Sequence, residues 1–195
     1  GRGANSQALL KAAVAATQSG HIPARIAFVF CNRERGEHDG SDGFIDLVES
    51  LGIPLVSFSF RQFRRTYRKE HGDSGDAWRI DYDRETLRRI EPFGADVIAL
   101  AGYMLIFSKD GGINRRYPAL NLHPALPGGP IGTWQEVIWQ LIDQGAESSG
   151  VMIHLATDDL DEGPPVAYCT FHLRGAKFDG LWDEIGTRNA DNVRE

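Results

Sequence analysis

Cysteine is scarce in this sequence, which contains only Cys31 and Cys169. Two cysteines at that separation provide neither a disulfide framework nor a zinc-ligand pattern, so the sequence predicts a protein of a reducing compartment, the cytoplasm. Apolar runs of about 20 residues, which a membrane-spanning helix requires, do not occur. No signal-peptide pattern is visible in these 195 residues. The lack of a long apolar run argues against a membrane-embedded class.

Positive charge is also in short supply, since 21 Lys and Arg face 27 Asp and Glu and the formal net charge is −6. Such a chain has no general attraction for nucleic acid or for an anionic membrane surface. Hydrophobic residues make up 42% and charged residues 25% of the chain, which is typical of a globular domain. Because no internal repeat or low-complexity linker interrupts the sequence, residues 1–195 are predicted to form a single domain.

Apolar runs alternate with amphipathic stretches along most of the chain. The predicted helices are 7–18, 43–51, 76–90, 133–143 and 179–188, and the predicted strands are 25–30, 54–60, 96–101, 119–123, 149–155 and 165–172. The runs 26–30 and 97–101 are continuously apolar, and strands alternate with helices, which predicts an α/β fold with a mostly parallel sheet and helices on both faces. The last two strands alternate, which favours an antiparallel pair. Thr133 and Glu136 form a capping-box pattern at a helix start.

Residues 61–69 form the one basic run, with Arg and Lys at positions 61, 64, 65, 68 and 69 and with Phe63 and Tyr67 between them. Basic and aromatic residues together are found in nucleic-acid-binding segments. In an acidic chain, a solvated loop or the start of a helix is the favoured interpretation. A third interpretation is a rim that attracts a small anionic molecule.

The sequence Asn121-Leu122-His123-Pro124 lies where a predicted strand gives way to a loop rich in proline and glycine. Side chains two residues apart on a strand point to the same side. An amide N–H and an imidazole placed together can hold an oxygen that becomes negative and supply it with a proton. An asparagine that caps a turn and a histidine that packs at a strand end are the alternative, and the two residues alone favour that alternative.

A second polar stretch, Asp158-Asp159-Leu160-Asp161-Glu162-Gly163-Pro164, connects the last two predicted strands. A carboxylate from this loop can stabilise a neighbouring imidazolium ion. The alternative for Asp161 is a turn residue, because Asp before Glu-Gly-Pro is common in turns. His154 precedes the loop and is interpreted as a packed or supporting residue.

Together, the stretches 121–127 and 158–164 resemble the formyltransferase family that uses 10-formyltetrahydrofolate, and the resemblance extends from Gly1 to about His172. The proline after the histidine and the Gly-x-Gly-x-Asn opening resemble the branch that formylates glycinamide ribonucleotide. The resemblance implies a Rossmann-like, mostly parallel sheet of seven strands. It also implies formyl transfer to the amine of that nucleotide in purine biosynthesis.

The resemblance assigns residues to three sites. Asn121, His123 and Asp161 correspond to the catalytic trio, and Gly3, Ala4 and Asn5 to a loop that binds the nucleotide phosphate. The folate site corresponds to Arg79, Met104, Leu105, Ile106, Phe107, Thr157, Asp158, Asp159 and Leu160. The implied co-substrate is 10-formyltetrahydrofolate, without a metal. The implied partners are small molecules rather than nucleic acid or membrane, and a homodimer stays open as the assembly.

The sequence departs from the family at several points. Leu105 stands where close relatives carry an arginine, and the loop at Gly128-Gly129-Pro130 differs from the usual one, which bears on the amine acceptor. The family's first strand and its C-terminal helix are missing, so the domain is expected to be incomplete at both ends. Three alternative functions stay open: a formyltetrahydrofolate hydrolase, a transferase with another amine acceptor, and a non-catalytic folate- or nucleotide-binding paralogue.

Overall fold

The computed structural model describes residues 4–72, 75–157 and 161–187. These residues divide into two compact units, one made of 4–121 with 156–157 and the other of 122–155 with 161–187. Gly3, Asp158, Asp159 and Leu160, four of the predicted site residues, lie outside the described residues. No helix in the described ranges combines the length and apolar character that a bilayer crossing would require.

The first unit contains two pairs of parallel strands. The strands β1 (Val29–Cys31) and β2 (Leu55–Ser57) pair with each other, and β3 (Ile98–Leu100) pairs with the first residues of β4 (Ala119–His123). The predicted parallel arrangement is therefore confirmed. Three of these strands are shorter than predicted, because a strand is defined by its ladder of hydrogen bonds and each pair extends for only three residues.

Four helices belong to the first unit, α1 (Ala4–Gln18), α2 (Asp39–Ser50), α3 (Phe60–His71) and α4 (Trp78–Ile90). The helix α2 begins four residues earlier than predicted, because the ring nitrogen Nδ1 of His38 caps it by accepting the N–H of Gly40 at 3.0 Å. The basic run was expected to be a loop or a helix start, but it is a complete helix. Ser59 caps it by accepting the N–H of Gln62 at 3.1 Å.

Two apolar clusters lie in the first unit. One joins the helices α1 and α2 through Leu10, Val14, Phe44 and Val48, and the other gathers around Ile90 and the segment 107–119. Val29 of β1 packs against the first cluster, while its neighbours Phe28 and Phe30 pack against the second. Apolar residues therefore cover both faces of β1, as its continuously apolar sequence predicts.

A cavity of about 430 Å³ opens between β1 and β3, lined by the apolar stretches 25–30 and 95–101. In the described part of the first unit, no strand lies between these two stretches. The open space explains why Val29 and Phe30, which line it, are only half-buried.

The second unit contains α5 (Trp134–Asp143), β5 (Ser148–Leu155), β6 (Pro165–His172) and α6 (Asp179–Thr187). The strands β5 and β6 form the predicted antiparallel pair, with an irregularity between Ile153 and His154. The capping box of Thr133 and Glu136 is confirmed. In α5 only Val137 is fully buried, and the apolar side chains of Trp134 and Ile138 are exposed.

A buried carboxylate fastens α4 to the chain that follows β3. Asp83, which is 3% exposed, accepts the backbone N–H of Ser108 at 2.7 Å. Burial raises the pKa of Asp83 above its ordinary value of 3.8, and hydrogen bonds from Ser108 only partly offset this. The folded state therefore holds this proton more tightly than the unfolded state. The protonated carboxyl of Asp83 therefore stabilises the folded state. This stabilisation is fully present below pH 3.8 and is lost as the pH rises through the pKa that Asp83 has in the folded protein.

We expect Asp83→Ala to lower the free energy of unfolding by about 1–3 kcal/mol, because the Ser108 N–H would stay buried without an acceptor. Asp83→Asn keeps an acceptor and removes the buried charge, so its stability at pH 7 should be no lower than that of the wild type. Urea denaturation at pH 7 measures both. An equal loss in the two variants would show that the charge, rather than the hydrogen bond, fastens this segment.

Candidate active site

A carboxylate lies between two buried histidines in the second unit. Oδ2 of Asp161 is 3.5 Å from Nδ1 of His123, and Oδ1 is 3.7 Å from Nε2 of His154. His123 is 2% and His154 1% exposed, and the Asp161 side chain is 9% exposed. The structure thus brings together two of the three predicted catalytic residues and adds a second histidine.

The position of His123 follows from the end of β4. It is the last residue of the strand, and Pro124, which has no backbone N–H to donate to a ladder, ends the strand behind it. The ring nitrogen Nε2 lies 2.8 Å from the carbonyl oxygen of Pro130. Because a carbonyl oxygen can only accept, this nitrogen carries a proton and donates it.

His154 comes from β5, at the irregularity in its pairing with β6. Its Nδ1 lies 3.1 Å from the carbonyl oxygen of Leu155, which makes that nitrogen the donor. The two imidazole rings are 6.2 Å apart and nearly perpendicular, at 85°. This edge-to-face arrangement leaves one nitrogen of each ring directed towards Asp161.

Asp161 is placed by a tight return of the chain towards β5. Its φ of 56° lies in the left-handed region, and it is the only non-glycine residue with positive φ in the described ranges. Asp tolerates this conformation better than most residues. Two residues later, a Cβ on Gly163 would fall on the carbonyl oxygen of Leu155. The Leu155 N–H also donates to the carbonyl oxygen of Pro164 at 3.1 Å.

The two ring nitrogens of His123 face two different acceptors. Nε2 donates to Pro130, and Nδ1 faces a carboxylate, which attracts an N–H. A buried carboxylate next to two imidazoles fixes ring orientation and balances a positive charge on either ring. Among the described residues, no group of three or more His, Cys, Asp or Glu is placed to hold a metal ion.

Asn121 belongs to the first unit, where it is half-buried and stands in register with Leu100 of β3. Ala4 and Asn5 were expected in a loop, but they are the first two residues of α1, and both are exposed. Backbone N–H groups in the first turn of a helix lack partners within that helix, so this position retains the capacity to bind an anion.

Arg79 is the second residue of α4. Its Nε lies 3.2 Å from Oδ1 of Asp76, and its guanidinium lies 5.6 Å from the ring centroid of Trp78. Of the predicted folate wall, Met104 and Ile106 are exposed, while Leu105 and Thr157 are half-buried. Phe107 is 5% exposed and packs in the apolar cluster with Ile90. The cavity between β1 and β3 is not lined by residues 104–107.

Sequence reasoning did not assign His154 a place beside Asp161. The sequence contains one signal for it, a histidine in an otherwise apolar strand directly before the acidic loop. The alternation of polar and apolar residues identifies the strand β5. It does not show that the loop carrying Asp161 turns back onto the end of that strand.

Comparison with known proteins places the chain in a family. A family model described as formyl transferase matches residues 1–173. The chain belongs to the formyl transferase family. It is 29% identical over 171 residues to the phosphoribosylglycinamide formyltransferase of Escherichia coli, covering 85% of this chain and 66% of that protein. It is also 29% identical over 147 residues to the formyltetrahydrofolate deformylase of Bacillus subtilis, covering 75% of this chain and 41% of that protein.

Solved structures support the same fold. The glycinamide ribonucleotide transformylase 1 of Geobacillus kaustophilus superimposes with a TM-score of 0.66 at 25% identity, covering 97% of this chain and 88% of that one. By length, the chain spans a little under two thirds of the Escherichia coli relative and less than half of the Bacillus subtilis deformylase. The family and its fold follow from these matches.

The contact of Gly163 with Leu155 is testable. We expect Gly163→Ala to lower the free energy of unfolding by about 1–3 kcal/mol, because the added methyl group would overlap a backbone oxygen. Gly180→Ala in α6 is the matched control, since a Cβ there meets nothing within 4 Å. That control should be neutral or slightly stabilising. Urea denaturation measures the free energy of unfolding of both variants. Equal free energies for Gly163→Ala and Gly180→Ala would contradict the described path of the loop.

Proposed function

We propose that this protein transfers a formyl group from 10-formyltetrahydrofolate to the amine of glycinamide ribonucleotide. The observation that carries the proposal is the buried contact of His123 with Asp161, the two residues that the family resemblance assigns to catalysis. The relatives named phosphoribosylglycinamide formyltransferase support the choice of acceptor. No covalent enzyme intermediate is needed, because the amine is itself a sufficient nucleophile.

The chemistry is a direct displacement. The amine nitrogen attacks the formyl carbon, and the formyl oxygen becomes negative in a tetrahedral intermediate. The bond from that carbon to N10 of the folate then breaks, and the proton lost by the amine is taken up at N10. The products are the formylated amine and tetrahydrofolate. Donors aimed at the developing oxyanion supply most of the acceleration, each worth about 10²–10³ in rate.

His123 has one N–H to offer the oxyanion. In the resting geometry, Nε2 donates to the carbonyl oxygen of Pro130, a neutral acceptor, while Nδ1 faces the charged Asp161. An oxyanion is a stronger acceptor than a carbonyl, so Nε2 exchanges Pro130 for the substrate while Asp161 retains Nδ1. The family resemblance assigns the second N–H donor to Asn121 and the nucleotide phosphate to the first turn of α1, with Ala4 and Asn5.

A deformylase is the second candidate, because formyltetrahydrofolate deformylases are among the relatives and structural neighbours. The same carboxylate and histidine would then act with water as the nucleophile. The altered loop at Gly128-Gly129-Pro130 is the part of the sequence that bears on this choice.

Release of tetrahydrofolate from 10-formyltetrahydrofolate, with and without glycinamide ribonucleotide, tests the proposal. We expect release that depends on the nucleotide, with one formylated nucleotide formed per tetrahydrofolate. The nucleoside lacking the phosphate serves as the control acceptor and should react with a raised KM. Equal release without any amine would identify a deformylase and contradict the proposed transfer.

A further inference from the structure

Helix α3 is a positive surface on a negative protein. Its cations Arg61, Arg64, Arg65, Arg68 and Lys69 are all exposed. With Glu70 as the single acidic side chain, the helix carries a net charge of +4, so the rest of the chain, at −6 overall, carries −10. At 3.6 residues per turn, all five cations fall within about 140° of the helix circumference.

The opposite side of α3 attaches it to the first unit. Phe63 packs against Phe58 at 5.6 Å and against Tyr82 of α4 at 5.5 Å. Aromatic packing therefore holds the helix with its cations outward. Within the described ranges, no carboxylate lies at ion-pair distance from Arg61, Arg65 or Lys69.

The basic face continues to Arg79 across a single side chain. The buried ring of Trp78 lies 5.5 Å from the guanidinium of Arg64 and 5.6 Å from that of Arg79. Both arginines therefore lie around one indole, and Arg79 is the residue that the family resemblance assigns to folate. The positive surface thus begins where a folate residue is expected and extends along α3.

We propose that the basic face of α3 binds the anionic glutamate tail of a polyglutamylated folate. The inference rests on the proposed function, since it concerns the co-substrate named there. Each γ-linked glutamate adds one free carboxylate and five backbone bonds, or about 6 Å of extended length. Residues i and i+4 on a helix are also separated by about 6 Å along the axis, so Arg61, Arg65 and Lys69 match successive carboxylates.

Length and charge favour this ligand over nucleic acid. The basic face spans about 12 Å from Arg61 to Lys69, which suits a tail of a few residues. A nucleic acid would extend beyond the helix and meet a protein remainder of net charge −10. Exposed carboxylate–cation pairs are individually weak, so three or four of them strengthen binding by roughly tenfold at low salt.

Equilibrium binding of tetrahydrofolate carrying one or five glutamates tests the proposal without turnover. We expect the wild type to bind the pentaglutamate about tenfold more tightly at low salt. The triple variant R61Q/R65Q/K69Q should lose most of this difference. The matched control K11Q/R25Q/K177Q removes three positive charges from exposed sites elsewhere. It should retain the tighter binding of the pentaglutamate.

Equal affinity of the wild type for the two folates would overturn the tail site while leaving formyl transfer from the monoglutamate intact. An equal loss in the control triple would also overturn it, because net charge rather than this face would then be responsible. Tighter binding of a single-stranded RNA than of the pentaglutamate would identify a nucleic-acid surface instead. If neither folate bound, the proposed function and this inference would be refuted together.

Discussion

The candidate site depends on how the carboxylate of Asp161 is held between two buried imidazoles. A buried charge is costly unless it is paired, and here His123 and His154 lie 3.5 and 3.7 Å from its two oxygens. The left-handed backbone at Asp161 and the close approach of Gly163 to Leu155 hold the carboxylate in that place. The backbone of this loop is therefore constrained at Asp161, whose carboxylate faces the two histidines.

The fold places polar groups where strands end. His123 is the last residue of β4, and His154 is the penultimate residue of β5. Ligands in sheets of this class bind outside the carboxyl ends of the strands, where backbone groups are no longer occupied by a ladder. In the first unit, Phe63 packs beneath α3 while the five cations of the helix are exposed, so the packing of the helix presents the surface proposed to bind the tail.

Much of this arrangement could be predicted from the sequence. The strands at 119–123 and 165–172 and the capping box at Thr133 follow from local pattern and chemistry. The start of α2 was missed because its cap, His38, is unusual, and α3 was missed because its charge obscured its amphipathic pattern. The partnership of His154 with Asp161 depends on the return of a loop onto its own strand, which no local period encodes.

The coupling of His123 to Asp161 is the central claim, and a double-mutant cycle on kcat/KM for formyl transfer measures it most directly. We expect His123→Ala and Asp161→Asn each to lower kcat/KM by about 10²–10³. Asn retains the left-handed conformation and removes only the charge. If Asp161 acts through His123, the double variant should be no slower than His123→Ala alone, within about threefold. Losses that multiply would contradict the account, since each residue would then act independently.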